Sequence, residues 1–210
     1  MIMSKILPMK FCSLCGGPVI SKIPPDDDRP RYVCVACEIV HYQNPKVVTG
    51  CIPEHDGRVL LCKRAIEPRQ GYWTLPAGFM ELGETSFEAA LRETLEEANA
   101  RVKLLDLYTV INLPHVDQVH MMYRSELLDQ DFSPGKESVA VDLFAEHLIP
   151  WDELAFTTIR QTLKFYFKDR QSGHFQLHTG DILKQGDRYD FRPGPSEVTS
   201  HQSSTSTQRP

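Results

Sequence analysis

The run from Gly78 to Ala100, Gly-Phe-Met-Glu-Leu-Gly-Glu-Thr-Ser-Phe-Glu-Ala-Ala-Leu-Arg-Glu-Thr-Leu-Glu-Glu-Ala-Asn-Ala, constrains this chain more tightly than any other stretch. It reads as a glycine-containing loop feeding an acidic helix. Thr85 is placed to cap that helix, and Glu88 three residues on completes a capping box. At about 100° per residue, Phe87, Ala90, Leu91, Thr94, Leu95 and Ala98 share one largely apolar face. Glu93, Glu96 and Glu97 share another, at the i, i+3 and i+4 spacing that makes side chains neighbours. Like charges so placed repel, by roughly 0.2–0.5 kcal/mol per pair. A cation should offset that repulsion, and hard carboxylate oxygens suit Mg²⁺ or Mn²⁺. The alternative is a solvated acidic face, which needs neither the loop, nor Arg92, nor this spacing.

A second constraint lies upstream. Cys12-Ser-Leu-Cys15 and Cys34-Val-Ala-Cys37 are two CxxC knuckles separated by eighteen residues, a spacing that suits a four-cysteine zinc site. Four thiolates close a tetrahedral Zn²⁺ and leave no open position, so a metal held by Cys12, Cys15, Cys34 and Cys37 is structural. About thirty residues make too small a core alone, and the metal would fold them. A redox CxxC pair is the competing reading, but two pairs without a surrounding βαβ pattern argue against it. Residues 11–42 are therefore expected to form a zinc ribbon.

Composition narrows the setting. The chain has 210 residues and is 41% hydrophobic, enough for one substantial core beside a small module. No apolar run is long enough to cross a membrane, so no membrane partner is expected. Met1 to Lys10 lacks the apolar stretch and cleavage site of a signal peptide. A net charge of −5 argues against a dedicated nucleic-acid binder. Six cysteines without an export signal point to reduced thiols or metal, and hence to a cytoplasmic location.

Further along, Val47–Ile52 and Val59–Arg64 read as strands joined through Asp56-Gly57, a favourable turn pair. Cys51 and Cys62 within them read as buried thiols. Arg64 and Lys63, on opposite faces of the second strand, are candidate phosphate-binding cations. Pro76 stiffens the entrance to Gly78. Strands are expected over 101–112 and 116–127, and another ending at Phe144, with His120 structural or exposed. Ile149–Leu154 opens a final helical region with amphipathic spacing over 158–168. From Gln171 the apolar spacing is irregular. The tail from about Pro193 is rich in Ser, Thr, Gln and Pro and is expected to be disordered. Mixed strands with two helices imply an α/β domain whose sheet lies between helical layers.

With its residues filled in, Gly78, five residues, Glu84, seven residues, Arg92-Glu93, two residues, Glu96-Glu97 resembles the Nudix box. One position departs, since Asn99 stands where the family pattern has glycine. Asn is the next-best residue for a left-handed helix end. Together with the ribbon, Phe11-Cys-Ser-Leu-Cys-Gly-Gly-Pro18, Tyr42-Gln-Asn-Pro-Lys46, Leu61-Cys-Lys-Arg64, Trp73-Thr-Leu-Pro-Ala-Gly78 and Ile149-Pro-Trp-Asp-Glu-Leu-Ala-Phe156 resemble the zinc-ribbon Nudix hydrolases, in particular their FAD and ADP-ribose diphosphatase branch. NADH pyrophosphatases share this domain pairing, but their signature after the box is replaced here by Asn112-Leu-Pro-His-Val-Asp117.

The resemblance implies a Nudix α/β/α sandwich over 43–170, preceded by the ribbon and followed by an extension over 171–210. It implies Mg²⁺-dependent cleavage of a nucleoside diphosphate linked to another group, with FAD or ADP-ribose as substrate. Glu93 and Glu97 would then be the main Mg²⁺ (or Mn²⁺) ligands, Glu96 a ligand or base, and the Ala77 carbonyl a further oxygen. Arg92 would hold a glutamate by a bidentate contact, and Glu84 would orient Arg92 or the loop. Glu137 is the candidate base on a later loop, where Ala140 replaces a second glutamate often found in this branch. NADH or capped-RNA hydrolysis is the enzyme alternative. A nucleotide-sensing regulator that uses the zinc ribbon to bind nucleic acid or protein is the alternative of another class; it predicts a degraded box, whereas all the acidic box positions are present. A homodimer stays open.

Overall fold

The computed structural model describes residues 9–195. It divides the chain into two compact units, Met1–Pro45 and Lys46–Pro210.

In the first unit β1 (Val19–Lys22), β2 (Arg31–Cys34) and β3 (Val40–His41) form an antiparallel sheet in that order. Each knuckle is a tight turn. The Gly16 amide donates to the Cys12 carbonyl at 3.0 Å and the Glu38 amide to the Cys34 carbonyl at 3.1 Å. Among its described apolar residues only Cys12, Pro24, Val33 and Cys34 are buried. A core that small cannot stabilise thirty residues without a cross-link.

The second unit is built on β4 (Lys46–His55) and β5 (Arg58–Arg64). They pair only at Glu54↔Val59 and His55↔Arg58, around Asp56 and Gly57, both at positive φ. That is the twist a two-residue hairpin demands. Beyond the turn the strands separate, and the segment after them enters the gap. There β6 (Trp73–Thr74) pairs with β5 and β7 (Ala77–Phe79) pairs with β4. Gly50 permits the wedge, because a Cβ there would strike the Pro76 carbonyl. Helix α1 (Ser86–Ala98) follows, then β8 (Val102–Leu113), β9 (Gln118–Leu127) and β10 (Ser138–Phe144). Helix α2 (Thr157–Ser172), β11 (His178–Gln185) and β12 (Arg188–Pro193) complete the unit.

The main sheet runs β10-β5-β4-β9-β8-β11-β12. Strand alternation sends Ile52, Leu61, Tyr108 and Met122 to the α2 side, where Ile159, Leu163, Tyr166 and Phe167 meet them. Cys51 and Tyr123 face Ala90 of α1, and Leu60 and Cys62 face Ala98. The result is an α/β/α sandwich with a small four-cysteine ribbon, as the sequence implies.

Three expectations change. On α1 the inward residues are Ala89, Ala90, Thr94, Glu97 and Ala98, whereas Phe87, Leu91 and Leu95 are exposed. The helix lies close to β4, with the Thr49 hydroxyl donating to the Ser86 carbonyl at 3.1 Å and the Cys51 thiol to the Ala90 carbonyl at 3.4 Å, so only small side chains fit beneath it. Ile149–Leu154 holds a 3₁₀ turn, not a helix, because the Ala155 amide is drawn to the Trp73 carbonyl at 2.8 Å; α2 begins at Thr157. Residues 178–193, read from sequence as irregular extension, form a hairpin. It joins the sheet through the parallel β8–β11 pair. Asp169, buried on α2, anchors it by accepting from the Tyr108 hydroxyl at 2.9 Å and facing His178 Nε2 at 2.7 Å. The disordered tail expected from about Pro193 lies, beyond residue 195, outside the described residues.

Candidate active site

Local sequence builds the helix end on which the site rests. Thr85 accepts the Glu88 amide while Glu88 accepts the Thr85 amide, completing the capping box, and Asn99 closes the far end in the left-handed conformation. The wedge then brings Ala77 and Gly78 against the helix. The Ala77 amide donates to Glu97 Oε2 at 3.1 Å, and a Cβ at Gly78 would fall on the Glu93 carboxylate. Ala77 thus meets the helix through its amide, not its carbonyl.

Arg92 organises the glutamates. Its Nε and Nη2 form a fork onto Glu84 at 2.5 and 2.9 Å, and Nη1 reaches Glu93 at 2.8 Å and Glu96 at 3.2 Å. Nη2 also donates to the Phe79 carbonyl at 3.1 Å. Charge-assisted bonds of this kind are the strong ones. They hold the Glu84 carboxyl down at about 2.

The remaining carboxylates differ in depth. Glu97 is 6% exposed, and burial, reinforced by the charges of Glu93 and Glu137, pushes its pKa up to about 8 against the pull of the Ala77 amide and Arg64. Burial also raises Glu93. Glu96 is exposed, its side chain at 58%. The three therefore do not share one solvent face: Glu97 and Glu93 point inward and Glu96 outward, so truncating Glu97 would disturb packing.

Glu137 and Arg64 both bear electrostatically on this pocket. Arg64 is steadied by its Nε bond to the Pro68 carbonyl at 2.9 Å and by the Phe156 ring 5.3 Å away. Lys63 leaves on the opposite face of β5 and lies over Trp73 at 5.7 Å. Sequence reasoning did not single out Phe156, Gly50 or Gly135. Gly50 carried a signal, since glycine inside a strand often marks close backbone approach.

Five carboxylates, Glu84, Glu93, Glu96, Glu97 and Glu137, here face two cations, Arg64 and Arg92. Glu97 is buried and Glu93 half-buried, and the pKa of each is raised. An all-oxygen donor set with unbalanced negative charge has the chemistry that a hard divalent cation takes. Glu93 and Glu96, however, are turned onto Arg92, and among the described residues only the four cysteines converge closely enough to hold an ion.

The ribbon holds a second donor set. Its cysteine sulfurs lie within 4.8 Å of one another, with Cys12–Cys37 at 3.7 Å, Cys15–Cys34 at 3.4 Å and Cys15–Cys37 at 3.5 Å. Tetrahedral Zn–S bonds of about 2.3 Å place sulfurs about 3.8 Å apart, so the cluster fits zinc. A disulfide would need about 2.05 Å, and all four cysteines are free.

An α/β/α sandwich carrying a glutamate-rich helix under a glycine loop defines a divalent-metal hydrolase of the Nudix type. The family model described as "NUDIX domain" matches residues 44–171, and one described as "Nudix N-terminal", a zinc ribbon, matches residues 10–43. The chain belongs to the Nudix hydrolase family.

An ADP-ribose pyrophosphatase from Methanocaldococcus jannaschii is 31% identical over 119 residues, covering 55% of this chain and 69% of that protein. An NAD-capped RNA hydrolase NudC from Photobacterium profundum is 26% identical over 139 residues, 65% of this chain and 49% of its own length. The chain spans about half or less of such NudC relatives. A crystal structure of a NUDIX hydrolase from Nitrosomonas europaea shares 57% identity at a TM-score of 0.82, over 84% of this chain and 100% of that one.

Proposed function

We propose that this protein hydrolyses the pyrophosphate bond of a nucleoside diphosphate linked to another group, with ADP-ribose or FAD as substrate. The observation that carries the reading is the inward pair Glu93 and Glu97 beneath the Ala77-Gly78 wedge, Glu93 tied through Arg92 to Glu84 and Glu97 held by the Ala77 amide. Glu93, Glu96 and Glu97 would hold Mg²⁺ or Mn²⁺ beside the Ala77 backbone. When bound, the ion would supply charge neutralisation and water activation. The chain's own residues do the rest. Arg92 holds Glu84, Glu93 and Glu96 in register, and Glu84 in turn fixes the guanidinium. Arg64, pinned by Pro68 and Phe156, meets phosphate charge. Glu137 accepts the proton of the attacking water. A new bond from water to phosphorus replaces the bond to the bridging oxygen, and two monophosphates leave: AMP with ribose 5-phosphate, or AMP with FMN.

The M. jannaschii relative favours ADP-ribose because the match covers more than two thirds of it. The NudC relatives favour a second reading, hydrolysis of an NAD-capped RNA end, beside the NADH alternative from the sequence. Purified protein assayed on ADP-ribose, FAD, NADH and NAD-capped RNA separates them. ADP-ribose or FAD should show the higher kcat/KM. A lead for NADH or capped RNA would overturn the substrate assignment, and no Mg²⁺-dependent turnover of any of the four would overturn the pyrophosphatase reading.

A further inference from the structure

The helix that carries the glutamates ends beneath a loop. Asn99 takes φ 47° and ψ 24°, and its backbone amide donates to the Leu95 carbonyl at 2.8 Å. Glycine, the residue of the family pattern here, would serve that backbone equally well. It would lack the side chain. Asn99 Nδ2 faces the Ser133 carbonyl at 3.2 Å, the Ser133 hydroxyl at 3.1 Å and the Pro134 carbonyl at 3.3 Å. Two N–H protons are thus shared among three acceptors of one loop.

Backbone bonds extend the clamp. The Ser133 amide donates to the Ala98 carbonyl at 2.9 Å, and the Gly135 amide to the Glu97 carbonyl at 3.0 Å. Both carbonyls belong to the last helical turn, which has no partners of its own for them. Gly135 approaches so closely that a Cβ would run into the Glu96 carbonyl. Beyond it the Glu137 carbonyl accepts the Ala65 amide at 2.7 Å. The loop is therefore tied to α1 on one side and to the end of β5 on the other.

We propose that Asn99 is a positioning residue that clamps loop 133–137 to the carboxyl end of α1 and so holds Glu137 toward Glu93 and Glu97. The inference rests on the assignment of Glu137 as the base. Its test uses the full-length parent, Asn99→Gly, Glu137→Gln, the double variant and Gly135→Ala, with ADP-ribose (or FAD where it is the better substrate) and Mg²⁺. Asn99→Gly should lower kcat about 10-fold, as a displaced catalytic group does. KM and the Mg²⁺-induced rise in Tm should not change, and amide exchange at 133–137 should quicken. In the Glu137→Gln background the same substitution should add less than about twofold, because the group it positions is gone. Gly135→Ala, which lifts the loop by bulk, should reproduce the loss. Parental kcat in Asn99→Gly alongside a slow Glu137→Gln overturns the clamp alone, as does an equal fold-loss in both backgrounds. Parental turnover in Glu137→Gln overturns the base assignment, and the clamp's purpose with it.

Discussion

Replacing Glu97 with Gln removes a charge and keeps the shape, which separates the cost of burying this carboxylate from its use. The folded, metal-free protein ionises Glu97 near about 8 instead of the ordinary 4.5, chiefly because the group is buried. Between those values the folded state keeps a proton that the unfolded chain has released, so stability falls as pH rises. From about pH 5 to pH 8 the two pKa values imply a loss of roughly 3.5 kcal/mol from this one group. For a protein of this size that is a fall in Tm of about 7–14 °C. Glu97→Gln keeps an oxygen for the Ala77 amide and never ionises. In EDTA its Tm should therefore exceed the parent's at pH 8 and match it near pH 5. Mg²⁺ should reverse the order, because the cation selects the ionised carboxylate and stabilises only the state that binds it. Mg²⁺-dependent turnover of the variant should fall on the order of 100-fold or more, equivalent to about 2.7 kcal/mol of transition-state stabilisation. Calorimetry across pH, with and without Mg²⁺, and parallel turnover assays make the comparison. Equal pH slopes in the two proteins would mean that Glu97 is hydrated after all, and equal turnover would reduce the cluster to an ordinary acidic face.

Two further outcomes follow from the same structure. Elemental analysis should find about one Zn²⁺ per chain, with Cys34→Ser losing it and unfolding residues 11–42; stoichiometric disulfides without zinc would refute the ribbon. Asp169→Ala should cost about 2–4 kcal/mol, since it strands the buried Tyr108 hydroxyl and His178 ring, and hydrogen exchange should show residues 178–193 losing protection. Unchanged exchange there would show that the hairpin is held by its strand pairing alone.

Much of this protein is written within short windows of its sequence. Thr85 with Glu88, the left-handed Asn99, the Asp56-Gly57 hairpin and the two CxxC knuckles all act between residues a few positions apart, so their residue types suffice. The alternation of Leu60, Cys62 and Arg64 against Leu61 and Lys63 likewise follows from the pleat. What sequence could not supply is distance between elements. Helical spacing grouped Glu97 with Glu93 and Glu96, and Leu91 with Ala90. The closeness of α1 to β4 instead turned Glu97 inward with the alanines and left Leu91 and Leu95 outside. The hairpin at 178–193 has few buried apolar residues to betray it. Its place is set by pairing with β8, far back in the chain, and by Asp169 at the end of α2. Arg64, Glu137 and Glu97 become neighbours only because a wedge at Ala77 splits two strands and a loop returns over a helix end. Spacing along a chain determines which groups share an element. Which of those groups is buried, and hence what its charge costs and can do, depends on the partner that tertiary packing brings to it.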